Sequence, residues 1–366
     1  MIKVTLLAAT VFSIISTSAS AAVLTADPTN LNAVFAAAQG GDTIKISGTF
    51  GAIWLQNRVF ATRVTLDATN AVFANTLTIQ NVTGLNVVRG TFGSETVAMR
   101  STRSVIINNS DSIKFQANTF IGNGPTAGAT ANHGLMVRSS RNVDVSDGKF
   151  SNLMTGLGVL SSSNVRLDNS RFTAMTSDGI NIADSHFVTA TANSCSGTTP
   201  YAGAHPDCIQ LWSLLGRPVQ SDIALLRNYA SGATQGFVSF DPQAGGGLRI
   251  SMIGNIVSTS FPQGLACYNC VDSVFTDNIL ETLPGALYQT RMNIIGGSNN
   301  YIANNSIAAQ GAPPTVRRRG FEAASMMESS ANAVPEPSEW VMLIIGFGLV
   351  GAFKRRSKLT MERRLA

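Results

Sequence analysis

One column of residues limits what this chain can fold into more than any other feature. A short apolar run, a turn residue and one or two further apolar residues recur along it. Aligning the turns gives Asn118, Gly148, Ser170, Asn193, Asn228, Asn255, Asn278 and Asn305, at separations of 22 to 35 residues. Spacings of this size mark a solenoid, in which each repeat buries its apolar face against the next. Asparagine tolerates the left-handed turn conformation, and its amide can both donate to and accept from an identical amide one strand spacing away. The column therefore predicts a stacked ladder.

Strand-like runs fall at two or three per repeat, with Asn, Ser, Thr and Gly at the corners and no helices between them. They predict an all-β, right-handed parallel β-helix over residues 22–311; a propeller or sandwich would not stack one turn position in this way. Ahead of the strands, Asp27-Pro28 opens a predicted helix. Its Leu31, Val34, Phe35 and Ala38 fall at i, i+3, i+4 and i+7, and Gly40-Gly41 ends it. Its apolar face is expected to cap the first open sheet edge. The helix, followed by Gly-Asp and a strand, resembles the start of pectate-lyase-like β-helices, and the resemblance implies that fold for about residues 22–311.

The two ends read as addresses. Lys3, an apolar run over residues 4–15 and Ala19-Ser20-Ala21 form a secretory signal peptide expected to be cleaved after Ala21. Residues 312–333 read as a linker. Val334-Pro335-Glu336-Pro337-Ser338-Glu339-Trp340 then leads into an apolar stretch containing Gly346-Phe347-Gly348 and ending at Lys354-Arg355-Arg356. Residues 334–358 resemble the PEP-CTERM sorting signal of Gram-negative bacteria, and residues 359–366 are a basic tail. That resemblance implies an exosortase-type membrane enzyme that recognises Pro335, Glu336 and Pro337. The apolar residues 340–353 are short for a spanning helix, which needs about 20. A flanking Trp and a cationic end still match a short C-terminal transmembrane sorting helix with its positive end in the cytoplasm. The expected itinerary is export, an inner-membrane anchored intermediate, then the cell surface, matrix or extracellular space.

Charge and cysteines agree with that compartment. The net charge is +5, but residues 22–311 hold 16 Lys or Arg against 16 Asp or Glu, so the folded part has no basic excess for nucleic acid. Disulfides persist outside the cytosol. Cys195 and Cys208 would staple the loop between them, while Cys267 and Cys270 form either a short bridge or two packed thiols.

A second column lies one strand before the asparagines: His133-Gly134, Thr155-Gly156, Asp178-Gly179, Asp207-Cys208, Gln235-Gly236 and Gln263-Gly264. If Ile180, Ile182, Ile209 and Leu211 point inward, alternation sends Asn181 and Gln210 outward on one face, in turns about 5 Å apart. The segments Asp178-Gly179-Ile180 and Asp207-Cys208-Ile209 resemble two motifs of the polygalacturonase family, Asn-Thr-Asp-Gly-Ile and Asp-Asp-Cys-Ile. The resemblance implies catalytic carboxylates at Asp178 and Asp207. Pro206 stands where the family has another Asp, Gln235 where it has His, and its Arg-Ile-Lys motif has no counterpart.

The same residues also suit a lyase or C5-epimerase. His205 titrates near neutrality and is a candidate base beside a uronic-acid carboxylate. Asp178 and Asp207 would orient it or help hold Ca²⁺, and Arg138 and Arg217 are the nearest cations for neutralising the substrate. His133 reads as a turn residue. Three residues along the strands, Trp212, Phe240 and Tyr268 form an aromatic row that either stacks on sugars or packs inward. Two functions follow: an enzyme acting on an acidic or extracellular polysaccharide by elimination, epimerisation or hydrolysis, or a non-catalytic polysaccharide-binding, adhesin or matrix spacer protein.

Overall fold

The computed structural model describes residues 21–96, 103–239 and 245–308. They form a parallel β-solenoid of about nine turns. Each full turn supplies three strands, one to each face. One turn contributes Ile180–Ala183 to the first face, His186–Thr191 to the second and Ser194–Ser196 to the third. Among the described residues every strand pairing is parallel and joins neighbouring turns. On the first face Leu135, Leu157, Ile180, Ile209, Phe237 and Leu265 pair in succession, all buried. A slip of one residue would send this row to solvent, so the apolar alternation fixes the register.

The asparagine column forms the expected ladder. Asn228 Oδ1 accepts from the Asn193 N–H at 3.0 Å and from Asn193 Nδ2 at 3.1 Å, and Asn255, Asn278 and Asn305 repeat the arrangement. Each Nδ2 also donates to a carbonyl of the preceding turn, as Asn228 does to Ala190. Ser170 and Gly148 continue the column through Ser170 Oγ, which accepts from the Gly148 N–H. The conformational part of the expectation needs correcting. The left-handed residue is the one before each rung: Ala117, Asp147, Asn169, Ala192, Arg227, Gly254, Asp277 and Asn304, with φ from 49° to 66°. That residue turns the chain, and the asparagine that follows is selected for its inward amide. A second ladder, unread in the sequence, runs at the corner between the first and second faces. There the N–H groups of Ser110, Ser140 and Ser162 donate to the hydroxyls of Ser140, Ser162 and Ser185.

Inside the third face Phe50, Phe73, Phe92, Phe120, Phe150 and Phe172 stack with ring centroids 4.4 to 5.1 Å apart. The next residue in that register is Cys195, which is disulfide-bonded to Cys208 across the interior, with Cα atoms 5.5 Å apart. Cys267 and Cys270 are also bonded to each other.

The N-terminal helix forms over Leu31–Ala37, later than Asp27-Pro28 implied. The Asp27 carboxylate accepts from both the N–H and the hydroxyl of Thr29, which holds residues 27–30 in a turn before the helix. Leu31 and Phe35 are buried, and Phe35 meets Phe60 edge-on at 5.6 Å. Among the described residues no helix is long and apolar enough to cross a membrane. The expected signal peptide through residue 20, Phe240, the linker, Pro335-Glu336-Pro337 and the sorting helix lie outside the described residues.

Candidate functional site

The site forms where the third face turns into the first. Glycines at this corner let successive turns approach: a Cβ on Gly179 would lie 2.7 Å from both Cys195 Sγ and the Cys208 carbonyl oxygen. The disulfide anchors the same corner one turn later. Asp178 and Asp207 precede these positions, and Gln235 pairs with Asp207 in the next turn. Residues 197–206 bridge Ser194–Ser196 to Asp207–Trp212 and bring His205 over the corner.

His205 links the groups. Its Nδ1 lies 3.2 Å from Asp207 Oδ2, and its Nε2 lies 3.0 Å from Gln235 Nε2. Asp178 Oδ1 accepts from the Asp207 N–H at 3.1 Å and from the Ser177 hydroxyl at 3.3 Å. Asn181 Nδ2 donates to Gln210 Oε1 at 3.0 Å and reaches Asp178 Oδ2 at 3.5 Å. Asp207 is fully buried and Asp178 nearly so, whereas the His205 side chain is 36% exposed. Two buried oxygens have no hydrogen-bond partner, Asp207 Oδ1 and Gln235 Oε1.

Burial sets the electrostatics. Asp178 is pushed up to about 7, first by desolvation and then by the charge of Asp207, against the lowering effect of the Asp207 N–H. Desolvation also raises Asp207, while the hydrogen bond and charge of His205 pull it back. For His205 burial alone would lower the pKa, but the hydrogen bond and charge of Asp207 together with the charge of Asp178 outweigh it, and the net shift is upward. Asp207 thus holds the Nδ1 side of His205, and the imidazole is the reachable end of the pair.

The fold brings Asp178, Asn181, His205, Asp207, Gln210 and Gln235 together. Trp212 and Arg138 are set apart from them. Trp212 ends the Asp207 strand about 16 Å along it, and Arg138 lies three turns from Trp212 in the same row, its Nε donating to Asn108 Oδ1. Tyr268 sits two turns from Trp212 on the side away from Arg138, half-buried. Arg217 is committed to Asp184 at 2.9 Å. One neighbour was missed in the sequence: Tyr201, whose hydroxyl is raised by burial and then by the charge of Asp178. The separation of 35 residues between Asn193 and Asn228, the largest in the column, marks the turn that carries this loop.

Calcium takes six to eight oxygen ligands. Among the described residues no group of three or more His, Cys, Asp or Glu is spaced to hold a metal ion. Asp207 Oδ1 and Gln235 Oε1 are the buried oxygens of the cluster left unpartnered, and two such oxygens fall short of the six to eight that calcium takes.

A family model described as a right handed beta helix region matches residues 103–280. Among solved structures, pectate lyase Pel9A is similar at 14% identity and a TM-score of 0.53, covering 81% of this chain and 82% of its own. A family 28 exopolygalacturonase of Yersinia enterocolitica gives 10% and 0.46, covering 81% and 80%. PfbA, a surface adhesin of Streptococcus pneumoniae, gives 12% and 0.42, covering 76% and 86%. No curated protein matches the chain. The family model, together with the likeness to pectate lyase Pel9A, which at 14% identity is one of fold, bears out the right-handed parallel β-helix.

Proposed function

We propose that this right-handed β-helix protein acts on an acidic polysaccharide, with His205 as the proton acceptor at the reacting sugar. The observation that carries the reading is the gradient of burial across the trio. Asp207 has no exposure, Asp178 is buried, and the His205 side chain is 36% exposed. A buried carboxylate holding Nδ1 orients the imidazole and strengthens it as a base, leaving Nε2 to react. Substrate would then replace the Gln235 contact at Nε2.

In an elimination His205 takes the proton from the carbon beside the uronate carboxylate. The C–H electrons form the new double bond, and the adjacent glycosidic C–O bond breaks toward an oxygen that takes up a proton. Epimerisation shares the first step and returns a proton to the opposite face. Asp178, at about 7, is partly protonated near neutrality and would donate to an anionic substrate group beside Asn181 and Tyr201. Inverting hydrolysis needs two carboxylates about 6.5–9.5 Å apart facing the substrate. It fits less well, because Asp207 is turned onto His205 and Asp178 accepts the N–H of Asp207 itself.

The test is turnover of polygalacturonate and alginate by the mature protein, read by ultraviolet absorbance of unsaturated ends, by reducing ends and by NMR of epimerised residues. Asp207→Asn is expected to lose a hundredfold or more in rate with an unchanged circular dichroism spectrum. Unchanged turnover removes the reaction from this face. A second reading, a non-catalytic polysaccharide-binding, adhesin or spacer protein, is favoured by one observation: Asp178 also fastens neighbouring turns through the Asp207 N–H, and Asp207 holds the loop through His205. Inertness of the wild type by all three readouts selects it.

Export belongs to the same proposal. Residues 1–21 would be removed, residues 340–353 would anchor an intermediate, an exosortase-type enzyme would cut near Pro335-Glu336-Pro337, and the helix Leu31–Ala37 would cover the first sheet edge. Mass spectrometry of protein from the native host should lack both end segments. An intact C-terminus at the cell exterior contradicts the sorting.

A further inference from the structure

The row that carries Asp178 and Asp207 changes sign toward the N-terminus. Arg103 pairs with His133, and backbone hydrogen bonds carry the row from Gly134 to Thr155 and from Gly156 to Asp178. At the far end of the same two strands Asn108 pairs with Arg138, and Ile106 and Met136 pair between the ends to form a half-buried apolar floor. Arg103 and Arg138 approach closely enough across this floor for the charge of Arg138 to act on Arg103, adding to the larger lowering by burial. His133 is held down at about 4, first by burial and then by Arg103. It is therefore neutral near pH 7 and adds no further charge.

Two facts bear on this patch. Arg89, Arg141, Arg166, Arg217 and Arg249 each answer a carboxylate. Among the described residues no carboxylate pairs with Arg103 or Arg138, and the segment 97–102 contains no Asp or Glu. Arg103 Nε is also buried without a hydrogen-bond partner. Two like charges over an apolar floor, one with an unanswered buried donor, are costly to hold unless an anion joins them.

We propose that Arg103, His133 and Arg138 form an anion subsite that takes a carboxylate of a polyuronate chain lying along the first face. The choice of a uronate rests on the function proposed above; the anion site itself rests on the arginines. Arg103 lies three strand spacings from Asp178, about 14 Å. The carboxylate it holds therefore belongs to a sugar well away from the one at His205, and the subsite supplies remote binding that orients the chain on the face.

The test is calorimetric titration of the mature protein with polygalacturonate and alginate, with carboxyl-reduced polygalacturonate and dextran sulfate as comparisons. Arg103→Gln/Arg138→Gln is expected to weaken binding of a polyuronate about tenfold or more and to flatten its salt dependence. It should leave the reduced polymer unaffected. Equal polyuronate binding by the double variant and the wild type overturns the subsite, as does a wild type that binds neither polyuronate. Arginine-dependent binding of dextran sulfate in preference to both polyuronates overturns the carboxylate assignment. Binding that depends on the arginines in a protein without turnover removes the reaction at His205 and leaves this subsite standing.

Discussion

Two corners of the same solenoid treat buried polarity in opposite ways. Between the second and third faces, Asn193, Asn228, Asn255 and Asn278 are buried, and the amide of each is satisfied by the turns on either side. Between the third and first faces Asp178, Asp207 and Gln235 are equally buried, yet Asp207 Oδ1 and Gln235 Oε1 are left without partners and the carboxylate pKa values rise. Repetition is what separates the two corners. A column of identical side chains hands each group its complement, whereas a row that reads Arg, His, Thr, Asp, Asp, Gln cannot. A chain that keeps the second kind of corner carries a cost that stability alone does not repay, which is the physical reason to look there for function.

The contrast breaks most visibly at the ladder. Asn228→Leu keeps the branched shape but removes the one oxygen that accepts from both the N–H and Nδ2 of Asn193, leaving the buried N–H without a partner and Nδ2 with only its bond to Leu167. At about 1–3 kcal/mol for each unsatisfied group, the expected loss is about 4 kcal/mol, read as the midpoint of guanidinium unfolding. A loss under about 1 kcal/mol would mean that packing, not the amides, holds this corner. Next comes the staple of the polar corner. Cys195→Ala/Cys208→Ala opens a link across a separation of 13 residues and should cost about 3 kcal/mol. Amide hydrogen exchange in residues 197–206, which carry His205, should speed up more than in the ladder.

Asp178→Asn should do the reverse and stabilise. The Asp178 pKa is about 7 in the fold against 3.8 for the free side chain. The native state therefore holds a proton that the unfolded chain releases between those values. Stability falls as pH rises through that window and the penalty is constant above it. The variant should be less stable than the wild type near pH 4, where only the poorer hydrogen bonds of the amide count, and more stable than it at pH 8 by about 2 kcal/mol. The raised pKa of His205 acts in the same sense, giving stability that is present below about 6.5 and lost as pH climbs through its folded value. Equal stabilities at pH 8 would show that Asp178 is not strained. The smallest effect is expected at Trp212, half-buried at the end of the Asp207 strand. Trp212→Ala should weaken polysaccharide binding by about 1 kcal/mol in affinity electrophoresis while leaving the rate constant unchanged.

Most of the fold was legible because it is periodic. A rung that repeats leaves the same residue type in the same register, so Asn193 through Asn305 announced the stack without any knowledge of the core. What the rung does was read less well. Asn was credited with the turn conformation, which belongs to Ala192, Arg227 and their equivalents, because sequence spacing does not separate two adjacent residues with different tasks. The phenylalanine stack went unread, since Phe92 or Phe150 looks like any apolar residue until its neighbours are known to be other Phe residues. At the site, Asp178 and Gln235 were aligned from the glycines that follow them and Asp207 from Cys208 in the same place, a local signal of close backbone approach, and His205 was read from its position two residues before Asp207. Tyr201 was not, because it reaches Asp178 through a loop whose path depends on packing. Arg103 escaped because the second column was begun one turn too late, at His133.

The asparagine ladder also has a direction. Every amide-to-amide link from Asn193 onward donates toward the higher-numbered turn, from Asn193 to Asn228, Asn255, Asn278 and Asn305. The amide dipoles therefore add along the axis like cells in series, each polarised by the one behind it. Such a column is strongest in its middle and weakest at its last rung. The same chemical change would then weigh more at Asn228 or Asn255 than at Asn305, so the solenoid loosens from its C-terminal turn inward.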